Sequence, residues 1–179
     1  VNSYILGRLI WDYYEKYVKY IDETNIKYLI MDKEDDLKLI ENIEKVKCSY
    51  KEDLKPQPAP EPIIEQGVLK YPRKAYISKL ALKKAKYLCE CGKDHPSFIR
   101  KSDGKNYTEP HHIIPMSAQG KFKTSLDCTP NIISLCSNCH NKLHYGTEIE
   151  ELLKLIFEKR KEKLKTMGIV ITFEELLSY

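Results

Sequence analysis

The stretch "CSNCHNKLHYG", residues 136–146, places two cysteines and two histidines in one short segment. Two residues separate Cys136 from Cys139, which is the usual spacing in one half of a tetrahedral zinc site. His140 and His144 are four residues apart, so on a helix they project from the same face. The segment therefore predicts two metal-binding sites side by side, one built on sulfur and one on imidazole.

A second cysteine pair lies upstream, in "CEC" at residues 89–91. Cysteines this close in sequence rarely form a disulfide with each other, because the bridge would be strained. Two close pairs that are far apart in the chain are instead typical of a structural zinc site, here with the ligands Cys89, Cys91, Cys136 and Cys139. Such a site would hold together a segment that is poor in apolar residues. Reduced cysteines also favour the cytoplasm as the location of the protein.

The stretch "EPHHIIPMS", residues 109–117, adds two adjacent histidines. His111, together with His140 and His144, can hold a second divalent metal and leave open positions for a substrate. Adjacent residues on a strand point to opposite sides, so one of the two histidines can face the metal while its neighbour faces the water.

These residues resemble the HNH endonucleases, or ββα-metal nucleases, and most closely the zinc-bound, McrA-like restriction branch. The resemblance runs from Cys89 to Gly146 and is carried by "CEC", "PHHIIP", "NIISLC" and "CSNCHNKLHYG". It implies that His112 is the general base that activates water, and that Asn131 bonds the loop backbone and fixes the orientation of the base. It also implies one catalytic divalent metal (Mg²⁺, Mn²⁺, Ni²⁺ or Zn²⁺) on the three other histidines, His111, His140 and His144.

One departure from the family pattern concerns the first cysteine pair. The family usually has Cys-x-x-Cys where this chain has a single residue between Cys89 and Cys91. One zinc ligand can therefore come from elsewhere, and His95 and Cys128 are the alternatives.

We expect an α+β chain in which a ββα-metal nuclease domain with a structural zinc follows a small, mostly α-helical segment. The helical segment spans residues 1–54 and is expected to contact a partner or DNA. Four prolines predict an extended linker over residues 55–67, and the nuclease domain with its C-terminal helix covers residues 68–179. Apolar spacing predicts helices over 4–21, 32–47, 73–87 and 147–168. We expect the last helix to begin at a capping box of Thr147 and Glu150 and to end at Gly168.

The resemblance implies a metal-dependent DNA endonuclease that hydrolyses phosphodiester bonds, used in restriction of foreign DNA. The alternatives are a homing or phage-packaging HNH nuclease and an inactive, zinc-supported DNA-binding module. We expect double-stranded DNA as the main partner, with Lys121 and Lys123 contacting phosphates. A homodimer, or an upstream or partner specificity domain, would complete the enzyme.

Composition agrees with these expectations. The chain has 179 residues, a net charge of +4, 42% hydrophobic and 31% charged residues. These values are typical of a soluble globular protein and exclude a disordered chain. Apolar runs are too short for a transmembrane helix, and we find no signal peptide, so no membrane partner is expected.

Overall fold

The computed structural model describes residues 39–40, 42–46, 55–65 and 68–179. The predicted helix over 4–21 and most of the predicted N-terminal segment lie outside the described residues. Residues 39–40 and 42–45 are helical and fall within the predicted helix over 32–47. Leu39 and Ile43 pack against Leu82 and Tyr87, so this part of the N-terminal segment contacts the C-terminal region.

The described elements follow one another in a mixed α and β order. A short hairpin of β1 (Ile63–Glu65) and β2 (Val68–Lys70) precedes helix α1 (Ala75–Lys84). The antiparallel pair β3 (Glu109–His112) and β4 (Ile132–Leu135) then leads into α2 (Ser137–Tyr145). Helices α3 (Glu150–Thr166) and α4 (Phe173–Leu177) complete the chain. The α+β fold class expected from the sequence is confirmed. No helix among these described elements is both long and apolar enough to cross a bilayer.

The β3–β4 pair and α2 together form the scaffold of the predicted sites. In the antiparallel register, His111 lies opposite Ile133 and His112 lies opposite Ile132. All four residues of β4 are buried, which is why "IISL" lacks the apolar–polar alternation of a half-exposed strand. Together with α3, whose Ile156 and Phe157 are buried, this strand forms the main hydrophobic core.

The proline-rich segment lies against the rest of the structure. Pro58 forms a β-bridge with Thr124, and the backbone N–H of Ala59 donates to the carbonyl of Lys123 at 2.9 Å. The backbone N–H of Ser125 donates to Gln57 at 2.8 Å. The extended backbone expected from the prolines is present here, and it is hydrogen-bonded to the loop that leads to β4. The division of the chain at this segment stays a prediction.

The sequence predicts the C-terminal end of α3 correctly but not its N-terminal end. The predicted capping box at Thr147 is wrong, because the helix begins at Glu150 and its N-cap is Ile149, with no side-chain cap. Ile149 packs beside Gly146 at the end of α2. Residues 147–149 therefore belong to the turn between the two helices and not to the first turn of α3. The predicted C-terminus is right. Gly168 has a φ of +72°, and the N–H of Ile169 donates to the carbonyl of Leu164 at 3.0 Å, as in a Schellman motif.

Candidate functional site

Three histidines from two elements meet at one point. β3 supplies His111, while His140 and His144 lie one turn apart on α2. Their ligand atoms all lie within 4.8 Å of one another, and their ring centroids are 4.7–5.2 Å apart. Imidazole is a ligand that suits several divalent transition metals, and three protein ligands leave coordination positions open. The donor set therefore fits the catalytic metal that the sequence predicts.

A carboxylate supports one of these histidines. Glu109 Oε2 lies 2.5 Å from His140 Nδ1, and Ser137 Oγ donates to Glu109 Oε1 at 2.8 Å. Burial alone would raise the pKa of Glu109, but the hydrogen bond and charge of His140 outweigh it, so this pKa lies below its ordinary value. A carboxylate behind a metal-binding histidine fixes its tautomer and the direction of its free nitrogen. The sequence analysis missed Glu109, although it is two residues before His111 and so lies on the same face of β3.

The second histidine of the pair points elsewhere. His112 is buried, and its Nε2 lies 3.1 Å from Asp127 Oδ1. The other oxygen of Asp127 accepts the backbone N–H of Lys74, just before α1, at 2.7 Å. Nδ1 of His112 has no hydrogen-bond partner within the described part of the chain. His111 and His112 therefore face different groups, as the alternation along a strand predicts. Asp127 was not predicted from the sequence, because it is 15 residues from His112 and the two side chains meet only in the folded structure.

Asn131 holds together the loops on either side of these strands. It is fully buried, and its Oδ1 accepts the backbone N–H of Ile114 at 2.9 Å. Its Nδ2 donates to the carbonyls of Ile114 and Leu126, both at 2.9 Å. One side chain thus pairs three backbone groups and fixes the ends of β3 and of the following loop, which carries Asp127. These are contacts of the kind that the resemblance implied for Asn131.

We expect Asn131→Ala to lower the free energy of unfolding by roughly 2–4 kcal/mol, because it leaves three buried backbone groups without a partner. Urea denaturation of the purified chain measures this. Asn131→Asp is the matched variant, since it keeps the acceptor but loses both donated bonds, and it should also destabilise the fold. A loss below about 0.5 kcal/mol in Asn131→Ala, the range of ordinary surface changes, would show that these bonds do not hold the loops.

The histidines open onto a cavity of about 140 Å³. His111, His112 and His144 form one side, and the other walls are mostly apolar. Tyr179, at the end of the described chain, and Arg73, before α1, also line it. The cavity brings the imidazole cluster, the buried His112 and a cation to a common space that a ligand can enter.

The sulfur-rich site lies where the first turn of α2 meets residues 89–95. The ligand atoms of Cys89, His95, Cys136 and Cys139 all lie within 4.8 Å of one another. Cys91 is outside that group, but its side chain interacts with both Cys89 and Cys139. The hydrogen bond from Cys91 holds the pKa of Cys89 below its ordinary value, which favours a thiolate there. Three thiols and an imidazole at these separations fit a structural zinc.

Cys128, the other alternative ligand, is not part of this group. Its side chain is buried, and burial raises the pKa of its thiol to about 12. A thiol in such surroundings is inert and acts as a small apolar side chain. Cys48 lies outside the described residues.

The two loop lysines lie between β3 and β4, and both are exposed. Lys121 Nζ lies 4.4 Å from the ring centroid of Tyr179, which lines the cavity. The backbone of Lys123 is held by the proline-rich segment, through its bond with Ala59. Lys121 therefore lies next to a residue that lines the cavity, and Lys123 is two residues further along the same loop.

Known proteins resemble this chain over the same residues. Residues 90–146 match the family model of the HNH endonucleases. The type IV methyl-directed restriction enzyme EcoKMcrA of Escherichia coli (strain K12) is 38% identical over 88 residues, which is 49% of this chain and 29% of that enzyme. A solved structure of ScoMcrA, a type IV phosphorothioation-dependent restriction endonuclease, is similar with a TM-score of 0.42 and 26% identity, over 55% of this chain and 18% of that one.

This chain therefore spans less than a third of the length of either relative. The matched segment contains the three-histidine group, β4, α2 and every member of the sulfur-rich group except Cys89, which lies one residue before it. The resemblance found in the sequence is confirmed, because the residues that carry it are those that match the HNH endonuclease family model.

Proposed function

We propose that this chain is a metal-dependent DNA endonuclease that hydrolyses phosphodiester bonds. The observation that carries the proposal is the pairing of His112 with Asp127 directly beside the three-imidazole group. A structural zinc module needs only the sulfur-rich site. It has no need for a second set of donors, or for a buried histidine aligned by a carboxylate.

His112 is the general base in this proposal. If Nε2–H of His112 donates its hydrogen bond to Asp127, the imidazole is in the tautomer with Nδ1 as the acceptor, and Nδ1 has no hydrogen-bond partner within the described residues. Histidine suits the role because its ordinary pKa lies close to neutral pH. A divalent metal held by His111, His140 and His144 would stabilise negative charge on the phosphate and on the leaving oxygen.

Restriction of foreign DNA is the biological role that we propose. The support is the name of the curated relative, a methyl-directed restriction enzyme, and the 38% identity that it shares with this chain. Because the chain spans only part of that relative, its DNA preference needs its own test. Supplying methylated and unmethylated DNA in parallel measures it.

The first experiment is plasmid cleavage by the purified chain with Mg²⁺, Mn²⁺, Ni²⁺, Zn²⁺ or a chelator. We expect nicking or linearisation with at least one metal and none with the chelator. If no metal gives cleavage of methylated or unmethylated plasmid, while the chain still binds DNA, the domain is a binding module and the proposal is wrong.

We expect Asp127→Asn to lower the cleavage rate by roughly tenfold to a hundredfold, because a misaligned base loses its near-attack geometry. The amide can still accept the N–H of Lys74, so the fold should persist. Comparing maximal rate with half-saturating DNA concentration separates the effects: an aligning role lowers the rate and leaves the half-saturating concentration unchanged. An unaltered rate would exclude this role.

We expect a Lys121→Ala/Lys123→Ala variant to bind DNA less tightly and with a weaker salt dependence. Each phosphate contact contributes about 0.9 to the slope of log affinity against log salt, so losing two lowers the slope by about 1.8. Fluorescence anisotropy over a salt series measures it. Lys154→Ala/Lys165→Ala on α3 is the matched control, since these exposed lysines do not line the cavity. Equal slopes for the two pairs would contradict the assignment.

A further inference from the structure

We propose that the structural zinc is bound by Cys89, His95, Cys136 and Cys139, and that Cys91 is not a ligand. The set differs in one position from the four-thiol site expected from the sequence. Its basis is that these four ligand atoms share a single 4.8 Å neighbourhood that does not include Cys91. The inference does not depend on nuclease activity.

The distances to His95 match a tetrahedral site. His95 Nδ1 lies 3.5 Å from Cys89 Sγ and 3.2 Å from Cys139 Sγ. Bonds of about 2.3 Å to sulfur and 2.0–2.1 Å to nitrogen, at tetrahedral angles, place neighbouring donors about 3.5 Å apart. The imidazole nitrogen thus already lies close to one corner of the tetrahedron, between thiols from the two halves of the site.

The backbone around His95 brings its ring to this position. The N–H of His95 donates to the carbonyl of Gly92 at 3.2 Å and closes a turn. A Cβ atom on Gly92 would lie 2.5 Å from His95 Nε2, so the ring lies directly against the glycine backbone. Only glycine allows this approach. The ring therefore points back toward Cys89 and not into solvent, although His95 lies on the surface. This orientation is what a metal ligand requires.

Glu90, the residue between Cys89 and Cys91, is fixed by contacts of its own. The N–H of Glu90 donates to the carbonyl of Ser134 at 2.9 Å, and its carboxylate accepts the N–H of Ser134 at 2.8 Å. The same carboxylate pairs with Arg160 on α3. Glu90 is thus fixed to β4 and α3. We therefore expect that Cys89 and Cys91, on either side of it, cannot both bind the same ion.

Titration of the full chain with Co²⁺ in place of zinc tests the ligand set. Absorption by charge transfer from thiolate to cobalt reports the number of bound thiolates, and the imidazole-only group does not contribute to it. We expect three thiolates both in the wild type and in Cys91→Ala, and at least about tenfold weaker binding in His95→Ala and in Gly92→Ala, with a smaller loss in Cys91→Ala because it removes a hydrogen bond to Cys89. Equal or greater weakening in Cys91→Ala than in His95→Ala would overturn the proposal.

A variant that is expected to strengthen the charge-transfer band tests the proposal even if the alanine variants fail to fold. His95→Cys should raise the thiolate count from three to four and strengthen the charge-transfer band. If Cys91 already completes a four-thiol site, the band will not change, and the proposal is wrong. All these readouts concern metal binding alone, so a failure of the nuclease proposal would leave them unaffected and the reverse also holds.

Discussion

His112→Ala should lower the rate of DNA cleavage by roughly 10²–10⁴-fold, the usual contribution of a general base. The expectation rests on three observations: the side chain is buried, Asp127 fixes one ring nitrogen, and the cavity shared with the imidazole group is next to it. The measurement is the initial rate of plasmid nicking at saturating metal.

A matched variant separates catalysis from folding. Removing the imidazole leaves a small void and one oxygen of Asp127 without its partner, so part of any loss could come from destabilisation. His112→Gln keeps a donor for Asp127 and most of the volume, but it has no basic nitrogen. Both variants should be inactive while His112→Gln melts near the wild type. Full activity in His112→Gln would remove His112 from the chemistry.

Cys136→Ala should strongly destabilise the fold around the sulfur-rich site. Apparent binding energies for structural zinc are about 10–16 kcal/mol, which is as large as the whole stability of a typical domain, about 5–15 kcal/mol. Cys136 is almost completely buried and comes directly before α2, so no solvent molecule can easily replace its thiolate. We expect the melting temperature to fall by roughly 15 °C or more, measured by calorimetry.

Cys128→Ala is the control, because it removes a thiol that is also buried but lies outside the candidate metal-binding group. Its cost should be about 1 kcal/mol, as for an ordinary core change. A strong chelator should destabilise the wild type and Cys128→Ala alike, and add nothing to the effect of Cys136→Ala. Similar melting temperatures for the two variants would show that Cys136 holds no metal.

Most of the candidate metal ligands that the structure brings together were predicted from the sequence, because the pattern that indicates them is local. Spacing alone placed His140 and His144 on one helical face, and strand alternation separated His111 from His112. Glu109 was within reach of the same argument, since it shares a strand face with His111. Asp127 was not, because the hydrogen bond to His112 spans 15 residues and depends on how Asn131 closes the intervening loop.

Helix ends show the same limit. Gly168 was predicted correctly because a positive φ is a property of the residue itself, and glycine tolerates it. The prediction of a capping box at Thr147 was wrong because α3 begins after Ile149, whose side chain lines the cavity. Tertiary contacts determine where this helix begins, and such contacts cannot be inferred from the pattern of capping residues.

Cys139 and His140 are neighbours in the first turn of α2, one directed to the sulfur-rich group and the other to the imidazole group. We therefore expect the two centres to assemble in order. A metal bound by Cys136 and Cys139 would fix the start and the rotation of the helix, and this rotation directs His140 and His144 toward His111. During refolding, competence to cleave should return no faster than the sulfur-rich site fills, whatever the supply of the second metal.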